Sequence, residues 1–314
     1  MTPTTKAQLQ IHFCVLLWGF TAILGKLIEL AALPLVWWRM VIVVAALALV
    51  PKVWRTLRTM PARLSLAYAG IGVVVALHWL TFYGAIKLAN ASVAATCIAL
   101  ATAFTAVVEP WLTRSRFSPR DLLLGIAVLP GVALVVGGVP ASMRLGVAVG
   151  ALSALLVAFF GSLNKRLVHH GEPLTVTAIE LGAGALMLTM LAPLMPAIFP
   201  AFAGTLLEVP APRDALLLLA LALACTLLPF ALSLVALRHM SAFSAQLAVN
   251  LEPVYAILLA IVLLGEQREL TALFYVGVAI ILAAVLAHPL LARPRRLEHP
   301  ELLGTSEAKQ IIDS

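Results

Sequence analysis

Charge is scarce in this chain. Only 11% of its 314 residues are Asp, Glu, Lys or Arg, while 62% are hydrophobic; soluble domains carry about 25% charged residues. A water-soluble fold of this length needs more polar surface than these residues can supply. A bilayer, which accepts apolar side chains on the outside of a protein, removes that difficulty. Cysteine is nearly missing as well. Cys14, Cys97 and Cys225 each lie inside an apolar run and share no short spacing, so neither a disulfide framework nor a metal site is supported, and all three read as small buried hydrophobes. There is no HExxH, GxSxG or paired Asp motif, and no Walker A loop. A membrane-embedded enzyme therefore has no recognisable site here, no cofactor is implied, and ATP drives nothing directly within the chain. The net charge of +7 does not point to nucleic acid, because Lys and Arg sit in short gaps between apolar runs and form no basic face.

What the chain does have is ten long apolar runs: residues 8–27, 34–51, 64–86, 92–112, 121–139, 145–164, 173–195, 214–236, 243–264 and 270–291. A spanning helix needs about 20 such residues. Inside lipid the backbone must satisfy its own hydrogen bonds, so continuous apolar runs of this length are expected to be helices. The first follows a weakly charged start with no clear cleavage site and reads as an uncleaved helix. Ten spans place both termini on one side. With that side cytoplasmic, 15 Lys and Arg fall inside and 5 outside, leaving Arg39 within a span. The positive-inside rule then orients both termini to the cytoplasm.

The chain also resembles itself. Lys26 and Pro34 recur as Lys165 and Pro173; Ala85, Ala91 and Ala95 recur as Ala236, Ala242 and Ala245; Gly125 recurs as Gly277. This divides the chain into a first unit, 8–139, a second, 145–291, and a tail, 292–314, expected to be flexible. Five helices per half means the second half enters the membrane from the opposite face. The expected fold is thus an all-α integral membrane protein of ten helices, built as two inverted five-helix repeats around a central cavity. In such carriers the binding site lies at the midplane between the halves.

Three stretches carry a family resemblance. Trp18–Gly19–Phe20 with Lys26, the run HWLTFYGAIKLANASVA from His78 to Ala94, and Asn250–Leu251–Glu252–Pro253–Val254 followed by Gly265–Glu266 resemble the drug/metabolite transporter superfamily, in its ten-helix EamA branch. In the first half Ala101–Thr102 stands where the second has Glu252–Pro253, and Arg114–Ser115 where it has Gly265–Glu266. The resemblance implies export of amino acids and other small metabolites across a cell inner membrane. The third span is similar to that of the aromatic amino acid exporters. Cationic drug-like solutes are the alternative cargo.

Polar groups at membrane depth are expensive and so mark candidate sites. Glu252 sits near the middle of the ninth span, with Gln246 and Asn250 before it and Pro253 after it, where a kink is expected. His78, Trp79, Phe82 and Tyr83 cover a broad arc of the third span at i,i+4 spacing and would suit an aromatic or cationic solute. Trp18 is central in the first span. These eight residues are the candidate substrate-binding set, and H⁺ is the candidate coupling ion, with Glu252 and His78 as titrating groups. Arg39 is five residues into its span and is expected to snorkel outward. No basic residue is then left at the midplane, which disfavours phosphorylated sugars. Glu180 reads as structural, and Glu109 as neutralised by Arg114. Gly146 and Gly150 mark close helix packing.

Overall fold

The computed structural model describes residues 3–268 and 270–291, and the described residues form helices without a strand. In chain order these are α1 (Pro3–Leu27), α2 (Ala32–Ala48), α3 (Pro51–Thr59), α4 (Ala62–Leu88), α5 (Ala91–Cys97), α6 (Leu100–Thr113), α7 (Pro119–Ala127), α8 (Leu129–Gly137) and α9 (Arg144–Leu167) in the first part of the chain. They continue as α10 (Pro173–Leu191), α11 (Met195–Ile198), α12 (Pro212–Ala222), α13 (Leu228–Ala236), α14 (Ala242–Val249), α15 (Glu252–Leu264) and α16 (Ala272–Leu291). Proline opens α3, α7, α10 and α12, where its missing N–H costs nothing. The tail expected to be flexible, 292–314, lies outside the described residues.

All ten apolar runs are helical. Eight spans are long and apolar enough to cross a membrane, and a ninth is added if α2 and α3, bent by 91° at their junction, count as one. The α3 helix was not foreseen: residues 51–59 turn off at about a right angle as a short helix. The last helix, α16, runs for 20 residues. Large apolar side chains such as Leu66, Leu216 and Val262 stand more than two-thirds exposed, an outer surface suited to lipid and unsuited to water.

The two halves break the same helix. The span α5–α6 is interrupted at Ile98–Ala99 and the span α14–α15 at Asn250–Leu251, and both breaks are tightened by i→i−3 backbone bonds such as Ile98 N to Ala95 O and Leu251 N to Ala248 O. The second break is the kink expected ahead of Pro253. The first has no proline. One side chain ties the two together: Asn250 Nδ2 donates to Thr102 Oγ1 at 2.5 Å.

Each broken span is also capped from the opposite half. Glu109, near the end of α6, accepts from Ala242 N at 2.8 Å and Phe243 N at 2.7 Å, the first amides of α14. Glu266, just past α15, accepts from Ala91 N at 3.1 Å and Ser92 N at 3.0 Å, the first amides of α5, and from Ser92 Oγ at 2.7 Å. Carboxylates at helix N-termini satisfy orphan amides and meet the positive end of the dipole. Glu109 therefore serves as a helix cap and not as an ion-pair partner of Arg114. The Gly265–Glu266 pair has a physical reading too. Gly265 ends α15 in the left-handed region at φ 69°, and Arg114, its repeat counterpart, adopts φ 58°.

Glycines bring α4 and α9 into close contact with their neighbours. Gly72 packs on the backbone of Glu180, Gly146 on Ala89, and Gly150 on Cys97, as the small-residue spacing on α9 predicts. Cys14, Cys97 and Cys225 are buried free thiols.

Candidate functional site

Between the halves lies a cavity of about 120 Å³. Trp18 reaches it from α1, Arg39 from α2, His78, Trp79 and Phe82 from α4, Phe160 and Asn164 from α9, Phe230 from α13, Gln246 from α14, and Glu252 from α15. Six of the eight sequence-based candidates thus share one wall. Tyr83 and Asn250 do not line it. The Tyr83 hydroxyl is turned to Arg39, and Asn250 is the tie between the two helix breaks.

Arg39 overturns the expectation of snorkelling. It is 2% exposed and faces inward. Its Nε donates to Thr226 Oγ1 at 2.5 Å and its Nη1 to the Tyr83 hydroxyl at 2.9 Å. Its guanidinium carbon lies 3.8 Å from the centre of the Trp79 ring, a cation–π stack that Arg makes better than Lys. Nη2 donates to no described residue. The acceptor Thr226 depends on a local irregularity. Pro229 has no N–H to continue the α-helical ladder, and residues Leu223–Leu227 form a π-helical turn, a feature often found at functional sites. In that turn Thr226 Oγ1 donates to Leu221 O at 2.6 Å and is fixed to receive Arg39. A basic group in the cavity wall, absent from the sequence-based expectation, is therefore present. Its signal was an ionisable residue inside an apolar run; the helix face it points from was not readable.

Glu252 is the opposite charge in the same cavity. It is 6% exposed, it opens α15, where the helix dipole favours an anion, and its carboxylate bonds no described residue. Arg39 and Glu252 form no ion pair; among the described residues the ion pairs are Lys52–Glu172 and Arg213–Glu29. Gln246 adds an amide nitrogen with no described partner. The cavity thus presents a cation, an anion and an amide donor without a described partner.

Aromatic rings close the rest. Trp79 meets Phe230 edge-on at 6.0 Å, and His78 lies 5.3 Å from Phe160 and 6.1 Å from Phe82. Ser153 holds His78: its Oγ is 2.8 Å from Nδ1 and donates to His78 O at 3.0 Å. Asn164, not among the sequence candidates, stands at another part of the wall and donates to the fully buried Glu180 at 3.3 Å. Among the described residues no group of His, Cys, Asp or Glu is arranged to hold a metal.

Comparison with known proteins follows the same division into halves. The model of the EamA-like transporter family matches residues 5–137 and again 144–287. A crystal structure of another protein shares the fold at a TM-score of 0.65 and 20% identity, over 94% of this chain and 99% of that one. No curated protein matches the chain. Two family matches that together cover most of the chain, and a cavity lined by both halves, identify it: this protein is a member of the EamA-like transporter family, a multi-pass membrane transporter of small molecules.

Proposed function

We propose that the protein moves amino acids, aromatic ones among them, outward across a cell inner membrane by alternating access, through ten crossings with both termini in the cytoplasm. The observation that carries this reading is the pairing of Arg39 and Glu252 across one aromatic-walled cavity without an ion pair between them. A zwitterion matches that arrangement: its carboxylate suits the free Nη2 of Arg39, its ammonium suits Glu252, and an aromatic side chain suits the Trp79–Phe230 wall. A purely cationic solute would meet Arg39, and a purely anionic one would meet Glu252, so each is disfavoured by one of the two. The cavity is smaller than the roughly 300–1,000 Å³ of typical ligand sites, which favours a small solute and requires the halves to part before a large side chain enters.

Counterflow in proteoliposomes tests the reading. Liposomes preloaded with unlabelled Phe, Tyr, Trp, Thr or Met are expected to accelerate uptake of the labelled amino acid. If none of them does so with correctly inserted protein, the amino acid assignment fails.

A further inference from the structure

Two buried polar atoms without a described partner belong to one residue pair. Asn164 Nδ2 donates to Glu180 Oε2 at 3.3 Å, while Asn164 Oδ1 and Glu180 Oε1 are both left unbonded. Glu180 is fully buried and Asn164 is 3% exposed. Glu180 lies on α10, roughly 10 Å along the helix from its start at 1.5 Å per residue. An ionised carboxylate has acceptors only, whereas the acid form adds one O–H donor. A proton on Oε1 would be a donor of the kind Asn164 Oδ1 lacks, as an acid and an amide pair through two antiparallel hydrogen bonds. One proton answers both orphan atoms and removes an uncompensated charge from the interior.

No nearby group replaces that proton. From α4 come Tyr68, which donates to Leu167 O at 2.8 Å, and His78, held by Ser153. From α2 comes Arg39, held by Thr226 and Tyr83. The α3 helix offers exposed Lys52, Arg55 and Arg58, and the segment after α13 offers Arg238, which donates to Val168 O and Gly171 O. Among the described residues, only Asn164 bonds the Glu180 side chain.

Asn164 also stands between two spaces. It lines the main cavity with Gln246, and it lines a small hollow beside Tyr68 and Gly171. The hollow measures about 10 Å³, close to the space one water needs.

We propose that Glu180 and Asn164 form a proton-binding site in the cavity wall, and that transport exchanges this proton, which makes H⁺ the coupled ion. The exchange rests on the transport reading above; the proton itself does not. A solute group bonding Asn164 from the cavity side opens the acid–amide pair. The O–H bond of Glu180 then breaks, its electron pair stays on Oε1, and the proton passes to water entering the hollow beside Tyr68.

Infrared spectroscopy of the full chain in lipid nanodiscs tests the proton. At neutral pH, wild type minus Glu180→Gln is expected to show the C=O band of a protonated carboxyl, sensitive to D₂O. A difference containing only carboxylate bands overturns the proposal. Should Glu180→Gln not fold, Asn164→Leu decides the same point, because losing the amide partner must shift that band; an unmoved or absent band overturns it. Proteoliposomes test the exchange. Wild-type uptake is expected to respond several-fold to an imposed pH gradient, and Glu180→Gln to lose that response. An undiminished gradient response in Glu180→Gln overturns the coupling. Failure of wild-type counterflow with every amino acid tried sinks the transport reading instead and leaves the infrared result standing.

Discussion

The guanidinium of Arg39 lies 3.8 Å from the centre of the Trp79 ring, and the same side chain is held by Thr226 and Tyr83. Three contacts fix a cation in the cavity wall with one nitrogen left over. Arg39→Lys keeps the charge and loses the planar fork. It is expected to weaken amino acid binding at least tenfold, which corresponds to about 1.4 kcal/mol, while Trp79→Phe, which keeps a ring face, weakens it less. Equilibrium binding to the purified protein measures both. Equal affinity in Arg39→Lys and wild type would remove the carboxylate role of Arg39.

Glu252→Gln removes the anion but keeps the shape. Zwitterionic amino acids are expected to lose affinity, and carboxylates without an amino group to lose none or to gain. Competition of labelled Phe with 3-phenylpropionate reads out the contrast. A uniform loss for both compounds would mean that Glu252 supports the fold instead of meeting an ammonium.

Asn250→Ala is expected to lower stability by about 1–3 kcal/mol, because it leaves the buried Thr102 hydroxyl without its donor, and to leave the affinity of the folded protein within about twofold of wild type. The two effects separate by thermal unfolding and binding on the same sample. A large affinity loss without a stability loss would put Asn250 in the cavity after all.

Arg114 holds φ 58° without being glycine. Left-handed backbone costs an ordinary residue about 1–2 kcal/mol, against about 0.5–1 kcal/mol of extra chain entropy for glycine. Arg114→Gly is therefore expected to raise stability by about 0.5–1 kcal/mol, seen as a higher unfolding temperature. Gly72→Ala runs the other way. Its new methyl would meet the Glu180 backbone, which cannot yield as a flexible side chain can, and a loss of about 1–3 kcal/mol is expected.

The apolar runs, the repeat and the family resemblance were legible in the sequence because each rests on long stretches of residues. Six of the eight candidates line the cavity because buried polar and aromatic residues in apolar runs are few. Arg39 was misplaced for a definite reason. Depth along a helix can be counted, but the face a side chain takes depends on Thr226, set by a π-helical turn 187 residues away. The break at Ile98–Ala99 has no proline to announce it. Asn164 looked like the end of a span, and its meaning comes from Glu180 on the next helix.

The two carboxylate caps bear on the order in which the protein is made. The first amides of α5 receive Glu266 from 174 and 175 residues downstream. When α5 is made, Glu266 has not yet been synthesised, and those amides must be left to the insertion machinery or to trapped water. The amides of α14 face no such delay, since Glu109 precedes them by 133 residues. The early half thus waits for the late one while the late half finds its cap already in place, and a ribosome stalled between them leaves a bundle with an uncapped helix end.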